Sequence, residues 1–247
     1  MTVHCVTTMN KSYYNRIGKY MIYTWTKFAP TDYQLHLYLE DFVLPDYNDD
    51  RIKIEDWSQI KNLYDQWSIN HYSDLKNEQG FTLKALTQIA MFRKTKNGNV
   101  LWLDADTIFI DKIPQNFFTD VILDYPLASW GDKTFESGTV WVNLSHKDWP
   151  AIEKNYTKIY LEDDKLPQGE RWYDGEQLGR AVREAGIPIN NLKSLCTKKT
   201  STPLNYSWIG KYIRHLKAKA KKGSRLQDEM KYLSMTKTFE KLRDHNV

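Results

Sequence analysis

Hydrophobic and polar residues along the chain predict strands that alternate with helices. Apolar residues at every second position, or in short continuous runs, are typical of strands; these stretches are residues 3–8, 34–40, 100–109, 127–130 and 139–143. Apolar residues at helical spacing predict helices over residues 14–28, 81–94, 148–161 and 174–185. Residues 45–60 are polar and predict irregular structure. This alternation favours a mostly parallel central sheet flanked by helices, so we predict a Rossmann-like α/β fold.

The chain length of 247 residues suits one large α/β domain with a C-terminal appendage. We predict a domain over residues 1–208 and a basic helical segment over residues 209–247, with its helix near residues 209–222. Residues 211–247 hold 11 Lys and Arg against 4 Asp and Glu, whereas residues 1–210 hold 24 against 27. The basic end indicates a polyanionic partner or, alternatively, a solvated helix with a lysine-rich face.

Cysteine content and hydrophobicity indicate the compartment. Cys5 and Cys196 form neither a metal-binding spacing nor a disulfide framework, which favours a reducing environment. No apolar stretch reaches the roughly 20 residues needed to span a membrane, and Met1 leads directly into the first predicted strand. We therefore expect a soluble, cytoplasmic protein. The sequence also lacks the glycine-rich motifs of dinucleotide enzymes and P-loop NTPases, which argues against both classes.

Two carboxylates, Asp104 and Asp106, follow the apolar run of residues 100–103. Side chains at positions i and i+2 of an extended segment point to the same face, so these carboxylates are expected to converge. Two anions held so close repel each other unless a cation lies between them. Mg²⁺ or Mn²⁺ suits such oxygen ligands and completes its shell with phosphates and water. The alternative is a strand that ends in a turn with two solvated acids.

Further polar residues are predicted near the same edge, because ligands of open α/β sheets bind beyond the carboxyl ends of the strands. Thr7 and Thr8 end the first predicted strand, and Glu136-Ser137-Gly138 precedes another. The acid there can hold ligand hydroxyl groups, and the glycine lets backbone approach a ligand. Asp174 and Glu176 begin a predicted helix, where acids act as caps or face a ligand.

Two basic side chains complete the candidate site. Lys84 opens the helix before the Asp104 strand, where its charge would offset a phosphate; the alternative is an exposed helical lysine. His215 lies among the cations of the basic segment, so protonation would gain it little and a neutral, metal-binding imidazole is expected. An isolated histidine also commonly has a structural role.

Together these motifs resemble those of GT-A glycosyltransferases, many of which hold a metal–diphosphate with an Asp-x-Asp pair. More narrowly, the chain resembles the TET/JBP-associated glycosyltransferases encoded largely by bacteriophages, over about residues 3–225. The likeness lies in residues 6–11, 37–41, 102–107, 136–138 with Asn143, and the late pieces Ile209-Gly210 and His215-Leu216-Lys217. Two positions depart from the family pattern. The family motif Ser-Glu-x-Gly is Phe135-Glu136-Ser137-Gly138 here, and Ala218 stands where the family has a glycine after His-Leu-Lys.

The resemblance implies how a nucleotide sugar would be held. Asp106 and His215 would bind the metal directly, while Asp104 would position the nucleotide ribose and contribute to the metal site. Further donor contacts are implied for Thr7, Thr8, Lys84, Ala105, Ser137, Gly138, Lys217 and Lys219. Glu136, Asp174 and Glu176 are the implied catalytic carboxylates, which would hold the sugar or acceptor or face the anomeric carbon.

The resemblance also implies the reaction. The enzyme would transfer a hexose from a UDP-sugar to a hydroxymethylated pyrimidine in DNA and would require Mn²⁺ or Mg²⁺. The configuration at the anomeric carbon would be retained. The basic segment would contact DNA phosphates. No obligate protein partner is expected. If the protein is encoded by a phage, it would act in the host cytoplasm. Two alternatives stay open: a glycosyltransferase acting on a surface glycan or lipid-linked sugar, and a non-catalytic nucleic-acid-binding protein with a transferase fold.

Overall fold

The computed structural model describes residues 2–44, 47–71, 75–131, 133–163, 166–167, 170–198, 200 and 202–216. The first half contains β1 (Val3–Asn10), α1 (Lys11–Tyr13), a π-helical turn (Tyr14–Gly18), α2 (Lys19–Phe28), β2 (Tyr33–Glu40), β3 (Ile52–Glu55), α3 (Trp57–Asn70), α4 (Leu75–Thr95) and β4 (Asn99–Leu103). The second half contains β5 (Thr107–Phe109), α5 (Phe117–Ile122), β6 (Leu127–Trp130), β7 (Glu136–Asn143), α6 (Trp149–Leu161), α7 (Asp174–Ala185), β8 (Asn190–Asn191) and β9 (Ile213–His215). Short 3₁₀ turns at Leu192–Leu195, Pro203–Tyr206 and Ile209–Lys211 lie between β8 and β9.

A seven-stranded sheet in the order β3-β2-β1-β4-β7-β6-β8 forms the centre of the described structure. The strands β3, β2, β1 and β4 run parallel, β7 is antiparallel to both β4 and β6, and β8 is parallel to β6. Helices α2 and α5 pack on one face, and α3, α4, α6 and α7 pack on the other. The predicted α/β fold with a mostly parallel, helix-flanked sheet is confirmed.

The central strand β4 is buried along its whole length. Leu101 and Leu103 pack in the hydrophobic cluster with α2 and α5, whereas Val100 and Trp102 pack in the cluster with α4 and α6. A strand that is covered on both faces needs apolar residues at consecutive positions, which explains the continuous run that precedes Asp104. This strand delivers the two candidate carboxylates to the carboxyl edge of the sheet.

Two elements lie where irregular structure was predicted. The prediction for residues 45–60 is wrong from residue 52 onward, because β3 pairs with β2 and α3 begins at Trp57. The strand β3 lies at the edge of the sheet, and its alternation of apolar and polar residues covers only four positions, which is too short a pattern to stand out in a polar segment. Helix α3 begins after Asp56, whose carboxylate accepts a hydrogen bond from the Ser58 N–H at 2.9 Å.

The C-terminal prediction is also corrected. Over residues 209–216 the expected basic helix is replaced by a 3₁₀ turn and by β9, which pairs antiparallel with β5. Ile213 and His215 are buried and Arg214 is half-buried, which is the alternation of a strand. The remaining part of the predicted segment, residues 217–247 with Lys217 and Lys219, lies outside the described residues.

The other predicted helices are present. Those expected over residues 14–28 and 81–94 begin earlier, at Lys11 and Leu75, and the first contains the π-helical turn. Among the described helices, none combines the length and apolar character required to cross a membrane.

Candidate active site

A tight turn carries Asp104 and Asp106 from the end of β4 to the start of β5. The Thr107 N–H donates to the Asp104 carbonyl at 2.8 Å, and the Asp104 N–H donates to the Gly138 carbonyl at 2.8 Å. The extended strand predicted through residue 109 is therefore interrupted. The two carboxylates come together because the chain turns between them, and not because they share one face of a pleated strand.

The strand β9 brings His215 to this turn. In the pairing with β5, His215 lies opposite Thr107, and the Leu216 N–H donates to the Asp106 carbonyl at 2.9 Å. Backbone hydrogen bonds on both sides thus fix the histidine beside the Asp-x-Asp turn, although it is distant in sequence.

The three predicted metal ligands form one cluster. His215 Nε2 lies 3.0 Å from Asp106 Oδ1 and 3.6 Å from Asp104 Oδ2. One ligand atom from each residue falls within 4.8 Å of the others. The opposite ring nitrogen, His215 Nδ1, lies 3.4 Å from Glu136 Oε1, so a third carboxylate borders the group. Asp106 and His215 are buried, whereas Asp104 and Glu136 are half-buried.

Among the described residues, the charged side chains that contact His215 are the carboxylates of Asp104, Asp106 and Glu136, whereas the lysines expected around it at positions 217–222 lie outside the described residues. Burial lowers the pKa of the imidazole, but hydrogen bonds to Asp106 and Glu136 and the charges of Asp106 and Asp104 outweigh burial and raise the pKa to about 9. The metal-free imidazole is therefore protonated at neutral pH, and its positive charge offsets the carboxylate repulsion. The expected neutral, metal-binding imidazole stays a prediction, because the ring has to lose this proton to bind a metal.

Glycines at two positions let the parts of the site approach closely. A Cβ at Gly138 would lie 2.4 Å from His215 Cε1 and Nδ1, and a Cβ at Gly175 would lie 2.1 Å from the Phe135 carbonyl oxygen. Side chains at either position would collide with these atoms. The close approach expected at Gly138 is therefore made by the imidazole of His215.

Lys84 connects two carboxylates inside the protein. Its ammonium lies 2.6 Å from Asp104 Oδ1 and 2.9 Å from Asp174 Oδ2, and it donates to the Ser137 carbonyl at 2.6 Å. Burial lowers the pKa of Lys84, but the two carboxylates outweigh it and raise the pKa, so the lysine stays charged. The exposed helical lysine considered as an alternative is excluded, since Lys84 is buried.

Asp174 is enclosed at the start of α7. Only 2 % of the residue is exposed. Burial raises the pKa of its carboxyl group, and the neighbouring Lys84 counteracts this effect. The side chain therefore supports Lys84 from within the protein.

The remaining predicted residues differ in accessibility. Thr7 and Ala105 are buried. Thr8 is half-buried, and its hydroxyl donates to Glu40 Oε1 at 3.3 Å. Glu176 is half-buried in the first turn of α7, and within the described part of the chain it forms no ion pair with the cluster.

Three supporting side chains were missed by the sequence prediction. Trp102 Nε1–H donates to Asp104 Oδ1 at 3.0 Å, and the side chain of Tyr13 is hydrogen-bonded to Asp106. The carboxamide of Asn205 is hydrogen-bonded to the His215 backbone. Trp102 lies two positions before Asp104, where same-face spacing was a usable signal. For Tyr13 and Asn205 the sequence offered no local signal.

The donor set fits a divalent cation. Trp102 and Lys84 engage Asp104 Oδ1, which leaves Oδ2 directed towards His215. Two carboxylates and one imidazole then offer oxygen and nitrogen ligands, a combination compatible with Mn²⁺ and, with more water, Mg²⁺. Because the imidazole must be neutral to bind a metal, metal binding at this site displaces the proton of His215.

No protein-family model matches the chain, and no curated protein sequence matches it. Among solved structures, mouse xyloside xylosyltransferase 1 in its apo form is similar, with a TM-score of 0.47, 11% identity, and coverage of 77% of this chain and 84% of that chain. The apo-form glycosyltransferase GlyE of Streptococcus pneumoniae TIGR4 is similar with a TM-score of 0.47 and 12% identity. The match covers 79% of this chain and 46% of GlyE, so this chain spans under half the length of GlyE. A glycosyltransferase involved in the glycosylation of the major capsid of PBCV-1 is similar with a TM-score of 0.42 and 16% identity, and the match covers 92% of this chain and 98% of that chain.

Proposed function

We propose that this chain is a metal-dependent glycosyltransferase that moves a sugar from a nucleotide-sugar donor to a hydroxyl acceptor. The observation that carries the proposal is the cluster of Asp104, Asp106 and His215 at the carboxyl edge of a mostly parallel sheet, bordered by Glu136. A divalent ion bound there supplies positive charge for the diphosphate leaving group. The resemblance of the sequence motifs to GT-A glycosyltransferases supports the same reaction.

We assign the metal ligands to Asp106 and His215, with Asp104 Oδ2 contributing to the same site and to the ribose. Lys84 and Trp102 fix the carboxylate of Asp104 through its other oxygen. These positioning contacts hold the ligands before the donor arrives, which lowers the reorganisation needed during the reaction.

Glu136 is our candidate for the carboxylate that faces the sugar. It is half-buried and lies 3.4 Å from His215, on the side of the ring opposite Asp106. Asp174 is buried and paired with Lys84, so we assign it to positioning and not to contact with the anomeric carbon. Glu176 stays a second candidate for contact with the acceptor.

The nucleotide of the donor is placed over the ends of β1 and β2. These strands lie on one side of β4; β1 carries the half-buried Thr8 two residues before its end, and β2 ends at the half-buried Glu40. We infer a UDP-sugar, Mn²⁺ or Mg²⁺, and retention of anomeric configuration from the resemblance to phage-type transferases. On the same ground we propose hydroxymethylated pyrimidine in DNA as the acceptor and Lys217 and Lys219 as further contacts to the diphosphate.

The proposal is tested by incubating the protein and Mn²⁺ with a panel of nucleotide sugars, with and without 5-hydroxymethylcytosine DNA. Mass spectrometry of digested nucleosides detects added hexose, and release of the nucleoside diphosphate detects donor cleavage. Asp106→Asn should lower turnover by orders of magnitude without unfolding the protein, since it removes a metal ligand. Asp120→Asn, at an exposed position of α5, is the matched control and should keep full activity.

Each outcome selects one function. Hexose on the base supports the complete proposal. Donor cleavage without transfer to DNA keeps the glycosyltransferase and favours a glycan or lipid-linked acceptor. Absence of both, with every nucleotide sugar and both metals, contradicts the catalytic proposal and favours the non-catalytic nucleic-acid-binding alternative.

A further inference from the structure

A cavity of about 670 Å³ opens next to the candidate active site. Its lining includes the buried residues Trp130 and Phe135, which we call the floor, and the exposed residues Lys193 and Lys198, which we call the rim. Glu136 forms the wall towards the metal cluster. The volume is that of a typical small-molecule site.

The cavity lies on the side of the metal cluster away from the proposed nucleotide position. Glu136 begins β7, and Trp130 ends β6; both strands lie on one side of β4, whereas β1 and β2 lie on the other. Because the Asp104–Asp106 turn follows β4, a donor on the β1 side and a second ligand in this cavity would meet at the cluster. Glu136 is shared by the cavity and by the cluster, since its Oε1 lies 3.4 Å from His215.

The lining combines apolar rings with positive charge. The lining residues Trp130 and Phe135 are aromatic and nearly fully buried, whereas Lys193 and Lys198 are exposed cations at the rim. The ammonium of Lys198 lies 3.9 Å from the centre of the Tyr206 ring, a cation–π contact that limits its freedom. An anionic group at the rim and a flat, weakly polar group on the floor satisfy both features.

The segment that carries the lysines is fixed to the protein. The Thr197 N–H and hydroxyl both donate to the Tyr206 carbonyl at 2.8 Å, and Cys196 Sγ–H donates to the Lys198 carbonyl at 2.8 Å. These contacts hold the turn between the two lysines. The rim is therefore preorganised, which reduces the entropy lost when a ligand binds.

We propose that this cavity is the acceptor subsite and that it selects an acceptor with a phosphate next to a ring, as in a nucleotide. The phosphate lies against Lys193 and Lys198, the ring lies on the Trp130 and Phe135 floor, and the hydroxyl group to be glycosylated points to Glu136. This inference rests on the proposed glycosyltransferase function and adds the recognition of the acceptor.

The test measures acceptor binding with the donor site filled. Isothermal titration calorimetry in saturating UDP and Mn²⁺ compares deoxycytidine 5′-monophosphate, deoxycytidine and glycerol 3-phosphate. The monophosphate should bind at least about tenfold more tightly than the nucleoside, since charge-assisted hydrogen bonds contribute that much. The Lys193→Ala/Lys198→Ala variant should lose this preference. Lys147→Ala/Lys154→Ala removes two exposed lysines elsewhere and should keep it.

The outcomes separate the two proposals. Failure of UDP and Mn²⁺ to bind contradicts the proposed function itself. If both bind, equal affinity for nucleotide and nucleoside, or a phosphate preference that survives the double variant, overturns the acceptor subsite. Tighter binding of glycerol 3-phosphate than of the nucleotide overturns the nucleotide assignment and indicates a lipid headgroup as the source of the phosphate.

Discussion

The carboxamide of Asn205 makes two hydrogen bonds to the backbone of His215. Asn205 Nδ2 donates to the His215 carbonyl at 2.8 Å, and the His215 N–H donates to Asn205 Oδ1 at 2.8 Å. β9 pairs with β5 on its other edge, so the carboxamide acts in place of a neighbouring strand. It holds the backbone from which the imidazole reaches the two aspartates.

Asn205→Ala should weaken metal binding by about tenfold, because supporting contacts around metal ligands contribute 10–100-fold in affinity. Asn205→Asp keeps the acceptor for the His215 N–H but places a carboxylate oxygen against the His215 carbonyl, so it should weaken metal binding at least as much as Asn205→Ala. Mn²⁺ titration with calorimetry measures both, and circular dichroism checks that the fold persists. Unchanged affinity in Asn205→Ala would show that β5 pairing alone positions His215.

Gly138→Ala should disable the metal site while leaving the sheet intact. The added methyl would lie 2.4 Å from two atoms of the His215 ring, so the imidazole has to leave the cluster. The control is Gly80→Ala in α4, where a Cβ meets nothing within 4 Å and the change should raise stability by about 1 kcal/mol. Calorimetric Mn²⁺ titration and thermal unfolding of both variants measure these effects. If Gly138→Ala bound Mn²⁺ as tightly as the wild type, the close contact between Gly138 and the His215 ring would be contradicted.

Lys84→Met should destabilise the protein by about 3–5 kcal/mol, because it leaves Asp174 buried without its partner. Urea unfolding measures the change. Adding Asp174→Asn should recover part of the loss, since it removes the uncompensated charge. Lys61→Met, which breaks the exposed Lys61–Asp65 pair, is the control and should change stability little. Equal effects of the two lysine substitutions would contradict the buried network.

The metal-free protein should lose stability between pH 6.5 and pH 9. The pKa of His215 is raised from 6.5 to about 9 in the folded state. Its contribution is fully present below pH 6.5 and disappears as the pH rises through 9, with a size on the order of 3 kcal/mol. Thermal unfolding in EDTA across this range should show the loss in the wild type.

A histidine variant isolates this contribution. His215→Gln removes the titrating group, so the difference in unfolding free energy between wild type and variant should shrink as the pH rises. With Mn²⁺ present, the stability of the wild type should instead increase as the pH rises, because the metal binds only the neutral ring. A difference that stays constant from pH 6 to pH 10 would contradict the protonated imidazole.

Local patterns predicted the central strands well. β4 and β1 are buried in the middle of the sheet, and a buried strand has to show its apolar run in the sequence. The edge strand β3 and the last strand β9 were missed, since they have only four and three residues. Such short strands form because a neighbouring strand pairs with them, and the local sequence pattern does not indicate which strand that is.

The sequence by itself determined the α/β architecture and the position of Asp104 and Asp106 after a buried strand, because both depend on hydrophobic periodicity. It also singled out His215, Lys84 and Glu136 as side chains of the right chemistry. Only the tertiary structure decided what they do together. The β5–β9 pairing places His215 among carboxylates, and the close approach of α7 to β7 encloses Asp174 with Lys84. Charge states follow from these long-range contacts, since burial and neighbouring charges shift each pKa in ways that the chain order does not encode.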